Sequence, residues 1–246
     1  MTANDYFFEK AYQLKPLYAE LMKSVEEYQE GGLVPFCMQW GEFFPMEENT
    51  GIMFYGRATN GWVTLESDVD KLFDMDFDDR IFCRDDQMQW VDDYAGYTDG
   101  YNTNTSAFWR VIRRTASAFY AEDHLLHVAW SNVCKVAPDG GNPSDSLFYA
   151  QLPSARAIMQ KEIEIFSPKH VVLLTGQGWA KDFLYFLNGN KATKSICSHA
   201  WGTEKQYRVK TYEIGGVYFH LSEHPQGKNE DTHIDALVRA ILLQNK

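Results

Sequence analysis

Cysteine is scarce in this chain. Only Cys37, Cys83, Cys134 and Cys197 occur in 246 residues, and no two form a C-x-x-C pair. That spacing speaks against a zinc knuckle, a thioredoxin-type site, an iron–sulfur clasp or a disulfide-stapled domain, so the expectation is a protein with no cofactor and no metal. Long apolar runs are missing too, and none approaches the roughly 20 residues of a membrane span. The opening segment MTANDYFFEK has no basic region followed by an apolar stretch, so no signal peptide and a reduced, cytoplasmic setting are expected. Basic residues are outnumbered, 23 Lys and Arg against 34 Asp and Glu, giving a net charge of -11. An excess of that sign disfavours loose, sequence-blind attraction to nucleic acid. Repeats, low-complexity tracts and evident linkers are also absent.

Apolar material, in contrast, is plentiful. Hydrophobic residues make up 45% of the chain, with 7 Trp, 14 Tyr and 16 Phe, enough for one sizeable core. Pro16 to Tyr28 reads as an amphipathic helix, with Leu17, Leu21, Val25 and Tyr28 at helical steps. Ser106 to Tyr120, Leu152 to Phe166 and a segment from Gly178 to about Asn188 read as further helices. The last helix carries Ile234, Leu237, Val238, Ile241 and Leu242 on one face, with Asn229 or Asp231 to cap it. Between these lie four short buried runs: Ile52 to Tyr55, Leu125 to Val133, Val171 to Gly176, and Gly216 to Ser222. Strands alternating with helices imply an α/β fold around a mostly parallel sheet. Ligands of such sheets sit beyond the carboxyl ends of the strands. Attention therefore falls on Gly56 to Trp62, Asn132 to Asp145, Gly176 to Trp179, and His224 to Asp231.

Two residues at those ends carry useful chemistry. Asn132 offers an amide donor and a carbonyl acceptor, the pair needed to read the edge of a nucleobase. His224 precedes Pro225, which holds it extended, and an imidazole there can donate to a developing anion or move a proton. Elsewhere the Asp-rich stretch DMDFDD, Asp74 to Asp79, imitates the start of a calcium loop. It has Asp79 where that loop needs Gly and Asp85 where it needs Glu, so a solvated acidic loop is expected. Arg110, Arg113 and Arg114 follow at helical spacing as a potential phosphate-facing or merely solvated basic face.

Taken together, GRATNGW from Gly56, SNVCKVAP from Ser131 and HPQG from His224 resemble the three motifs of the uracil-DNA glycosylase superfamily, in order and each after its strand. The middle segment is the most specific. Asn132, Val133, Lys135, Pro138, Asn142 and Pro143 reproduce much of the pattern of the family's iron–sulfur branch, without that branch's cysteines. The resemblance spans about Ile52 to Lys246, leaving a helical extension over about 1–50 and an acidic insert over about 66–100 outside it. It implies one domain with a three-layer α/β/α sandwich and a four-stranded, mostly parallel sheet. It also implies hydrolysis of the bond joining uracil or a related base to DNA. Asn132 would read the base, and His224 would stabilise the departing base anion. Gly56, Arg57, Ala58 and Trp62 would wall the pocket, with Trp62, Phe77 or Phe82 as the stacking ring. Lys135, Gln226 and Lys228 would contact phosphate. DNA, a nucleobase or a nucleotide is the implied partner.

The first motif departs from the family in one chemically important way. Arg57 and Ala58 stand where the family has its water-holding carboxylate or amide, Thr59 replaces a proline, and Gln226 replaces the serine of the last motif. Asn60 is left as the water-orienting residue, unable to act as a base. The alternative is therefore a relative that binds a base, nucleotide or nucleic acid without cutting it. A third reading is an esterase-like hydrolase using Ser131 or Ser222 with His224 or His233, although no G-x-S-x-G elbow is present.

Overall fold

A computed structural model describes residues 3–85 and 87–245. Its strands are β1 (Leu33–Pro35), β2 (Gln39–Trp40), β3 (Thr50–Gly56), β4 (Val128–Asn132), β5 (Val136–Pro138), β6 (Pro168–Leu174), β7 (Cys197–Trp201), β8 (Tyr207–Ile214) and β9 (Val217–Ser222). Its helices are α1 (Ala3–Tyr12), α2 (Lys15–Ser24), α3 (Val69–Leu72), α4 (Trp90–Asp93), α5 (Ala107–Ala116), α6 (Asp145–Phe166), α7 (Gln177–Leu187) and α8 (Glu230–Leu243).

The four apolar runs form the centre of a mixed sheet. β4, β3, β6 and β9 lie side by side in that order and all run parallel. The sheet is larger than the four strands expected, because seven strands pair in the order β2-β4-β3-β6-β9-β8-β7. β2 joins one edge, and β8 and β7 the other, all antiparallel to their neighbours. Parallel central strands need both faces covered, and their side chains divide accordingly. Met53, Tyr55, Val171, Leu173 and Phe219 enter a core with α1, α2, α6 and α7. Ile52, Phe54, Val172, Leu174 and Trp130 enter another with α5 and α8.

Helix ends follow their sequence signals. Ser144 caps α6 by accepting from Leu147 N–H, so this helix begins seven residues before the expected start at Leu152. Asn229, not Asp231, caps α8, with its Oδ1 taking Thr232 N–H at 3.0 Å. The N-terminal helical extension packs into the same domain, with Phe7, Ala11, Leu14, Tyr18 and Leu21 buried in the first core, against α6. Asp74, Asp76, Asp78 and Asp79 are exposed, as expected of the DMDFDD stretch, but elsewhere in the acidic insert Leu72, Phe73, Ile81, Phe82, Met88, Trp90 and Val91 are buried.

Candidate functional site

Parallel strands deliver their carboxyl ends to one side of the sheet. β3 ends at Gly56, β4 at Asn132 and β9 at Ser222, two residues before His224. A cavity of about 810 Å3 opens there, walled by residues 56–63 together with Asn132, His224 and Gln226. Three segments far apart in the chain thus meet in one place, as the spacing of their motifs implies.

Gly56 and Asn132 are partners across the β3–β4 ladder. A Cβ on Gly56 would collide with Asn132 Oδ1 and press on Phe108 at 3.2 Å. The glycine is thus a close-approach position, and the amide is packed against backbone. Asn132 is 1% exposed, and its Nδ2 finds no hydrogen-bond partner among the described residues. A buried donor left unpaired costs about 1–3 kcal/mol, which a ligand carbonyl would recover. Gly56→Ala is expected to displace this amide, lowering stability by about 1–3 kcal/mol and base affinity at least about tenfold. Urea unfolding and a fluorescence titration with uracil check both parts. Unchanged affinity would show that the close approach does not set the amide.

His224 is half-buried and lies flat beside Phe108, with ring planes 8° apart and centroids 6.0 Å apart. Burial pushes its pKa down to about 4, helped by the charges of Arg57 and Lys228, so the ring is neutral at physiological pH. Gln226 N–H donates to Nδ1 at 3.3 Å, which leaves the proton of the neutral ring on Nε2. The result is a donor without a formal charge.

Other sequence candidates fall less evenly. Arg57 walls the cavity, while its Nε donates to Thr175 O at 2.8 Å, tying the turn after β3 to the end of β6. Its pKa is lowered by burial, against the pull of Glu223. Asn60 lines the mouth and is exposed, but its Oδ1 accepts from Gly141 N–H at 2.9 Å. One of that oxygen's two acceptor sites is therefore taken up in joining two loops. Trp62 is half-buried and walls the cavity, and Ala58 lies beside it. Phe82 is not at the site: it stacks on Phe73 in the core, at 5.1 Å. Phe77 is likewise not in the wall.

Lys135 is corrected outright. It is fully buried, with Nζ 2.7 Å from Glu162 Oε2 and 2.7 Å from Ser131 Oγ, and cannot reach a phosphate. Strand alternation explains this, since Asn132 faces the cavity while Ser131 faces α6 on the opposite side of the sheet. Gln226 is exposed on the cavity rim, whereas Lys228 lies outside the wall and donates to His224 O at 2.7 Å. The basic face of α5 is also engaged: Arg110 pairs with Glu230, Arg113 with Asp92 and Arg114 with Asp231. The esterase reading loses its geometry as well. Ser131 Oγ is held in the Lys135–Glu162 network, and no histidine bonds to it or to Ser222 Oγ.

What sequence reasoning missed is the far wall. Trp90, Tyr94, Tyr101, Thr105 and Ser106 come from the insert and the approach to α5, and they join Phe108, Trp109 and Trp130 around the cavity. A run of Trp and Tyr among aspartates, as in QWVDDYAGY, was the available signal. Among the described residues no aspartate or glutamate lines the cavity. No group of three or more His, Cys, Asp or Glu among the described residues could hold a metal ion. No helix among them is long and apolar enough to cross a membrane. Compared with known proteins, the chain matches no family model and no curated sequence.

Proposed function

We propose that the protein is an N-glycosylase of the uracil-DNA glycosylase type, taking an extruded uracil or related base into the cavity at the strand ends. One observation carries this reading: the turn 56–62, Asn132 and His224 converge on a single aromatic-walled cavity. Asn132 Nδ2 donates to a base carbonyl. As the bond from base nitrogen to sugar carbon breaks, its electron pair stays on the base. The Nε2–H of neutral His224 donates to the anion so formed, and a neutral donor keeps its proton rather than delivering charge too early. Water adds to the oxocarbenium-like sugar and loses its proton to solvent. No group in the wall acts as a strong base, so the rate rests on stabilising the leaving group.

That same lack of a wall carboxylate, with Asn60 Oδ1 partly engaged, favours a second reading in which the pocket binds a base or nucleotide without cleaving it. A labelled single strand containing one uracil separates the two. Cleavage should give alkali-labile abasic sites, and His224→Ala should slow their formation roughly a hundred- to a thousand-fold. Binding with no product across several altered bases would leave only the second reading. Cleavage untouched by His224→Ala would remove the mechanism.

A further inference from the structure

The insert carries an aromatic feature that continues outside the cavity. Trp90 in the wall lies 6.3 Å from Tyr94, and Tyr94 lies 5.2 Å from Tyr97, so a file of rings runs from the pocket to the surface. Tyr101 adds a further ring 6.5 Å from Trp90. Tyr94 and Tyr101 border the cavity, whereas Tyr97 stands outside its wall. All three are nearly half exposed, at 43%, 49% and 45% for Tyr94, Tyr97 and Tyr101. Rings left together in solvent beside a binding cavity mark a contact surface.

The loop that holds them is tied in place. Thr103 N–H donates to Tyr94 O at 3.3 Å, Gly96 N–H donates to Asn102 Oδ1 at 3.1 Å, and the buried Thr103 hydroxyl donates to Val91 O at 2.6 Å. The Tyr97 ring rests on Gly100, where a Cβ would meet it at 3.4 Å. Its position is therefore set from within the loop while the ring stays open outward. Charge argues that stacking, rather than attraction to phosphate, supplies affinity here. The chain carries -11 overall, and Arg110, Arg113 and Arg114 of the following helix α5 are paired with acids. An unpaired base can stack on an aromatic ring whatever the sequence, because every base has a π-face. A base inside a duplex already has both faces covered by its neighbours.

We propose that Tyr97, with Tyr94 leading to it, is a stacking platform for the base next to the one held in the cavity, and that the ligand is a single strand rather than a duplex. This rests on the base-binding reading above and narrows its ligand class to single-stranded nucleic acid. Tyr97 touches the neighbouring base alone and takes no part in holding the base in the pocket.

Tryptophan fluorescence titrations of the full chain test it. The ligands are free uracil and a short strand of thymines around one deoxyuridine, 2′-fluorinated so that its base is not released. Tyr97→Ala should weaken strand binding roughly five- to a hundred-fold and leave uracil affinity within about threefold. Tyr97→Phe, which keeps the ring, should bind the strand as the unaltered chain does. When the nucleotides flanking the uridine are made abasic, Tyr97→Ala should no longer matter, because the base that would stack there is already gone. Annealing the strand to its complement should weaken binding at least about fivefold. An unchanged strand affinity in Tyr97→Ala, an equal loss with the abasic-flanked strand, or a duplex bound as tightly as the single strand would each overturn the proposal while the base pocket stands. Binding of neither uracil nor any strand would overturn the base-binding reading and this proposal together.

Discussion

Glu162→Ala is expected to cost roughly 3–5 kcal/mol of folding stability, because it strands a lysine in the core. Glu162 and Lys135 are both fully buried and lie 2.7 Å apart. The carboxylate also accepts from Tyr55 Oη at 2.8 Å and from Ser131 Oγ at 3.1 Å, so α6, β3 and β4 meet on one residue. Burial lowers the Lys135 pKa, with Glu162 as the chief opposing influence, and burial lifts Tyr55 well above its usual range, with the same carboxylate adding to the rise. Removing the carboxylate therefore takes away the counter-charge that pairs with the buried ammonium. Lys135→Met combined with Glu162→Leu should recover most of the loss, since apolar replacement of a whole buried pair is often neutral or stabilising. Urea unfolding of the two single variants and the double variant gives the coupling directly. Independent, additive losses would show that the pair does not act as a unit.

Acid is expected to destabilise the protein well before its carboxylates titrate. His170, His220 and His233 are buried and neutral. Asn245 Oδ1 is an acceptor 3.0 Å from His170 Nε2, which must therefore carry the proton. His170 Nδ1 then accepts from His220 Nε2 at 3.1 Å, and His220 Nδ1 accepts from Thr211 Oγ1 at 3.0 Å. Every role in this chain requires a neutral ring. Burial pushes His170 down to about 4 and His233 to about 3, and places His220 well below its usual value. Lys169 adds to the shift at His170, and His170 and His199 add to it at His220.

An unfolded histidine titrates near 6.5, so below that pH the unfolded chain binds protons that the native rings refuse. Stability is complete above about pH 6.5 and falls as pH drops toward 4. Each histidine contributes up to about 1.4 kcal/mol per pH unit in that window. His233 is the best place to test it. The ring stacks on Trp201 at 3.8 Å, and neither nitrogen has a partner among the described residues. His233→Phe keeps the stack and removes the protonation site, so it should raise stability more at pH 5 than at pH 7. An equal gain at both pH values would mean that protonation of His233 plays no part.

The central strands and α8 were legible because buried parallel strands are short continuous apolar runs and a packed helix has a 3.6-residue stripe. The meeting of Gly56, Asn132 and His224 was legible for a related reason, since strand order along the chain already places strand ends on one side. β7 and β8 were not seen. YRVKTYEI alternates apolar and polar residues as an outer strand does, unlike the continuous apolar runs of the central strands. Lys135 misled because a motif specifies neighbours along the chain and says nothing about which face each one takes. Its partner left a trace: Glu162 sits among Ile158, Met159, Ile165 and Phe166 on the buried face of α6. A lone acid on such a face signals a cation in the core. The aromatic wall was hidden for yet another reason. Its rings come from a segment whose charge suggested solvent, and only packing reveals that Trp90 and Tyr101 lean over the strand ends.

The pairing of Gly56 with Asn132 in the parallel ladder also constrains how such a site can change over generations. Single substitutions at the cavity wall alter its chemistry one group at a time and leave the sheet alone. A one-residue insertion or deletion within β3 would invert the strand, carrying Tyr55 into the cavity and Gly56 into the core. Lineages derived from this chain can therefore exchange side chains around the pocket freely, while the spacing within its central strands stays frozen. Variation in length is confined to the loops between them, where the aromatic insert already sits.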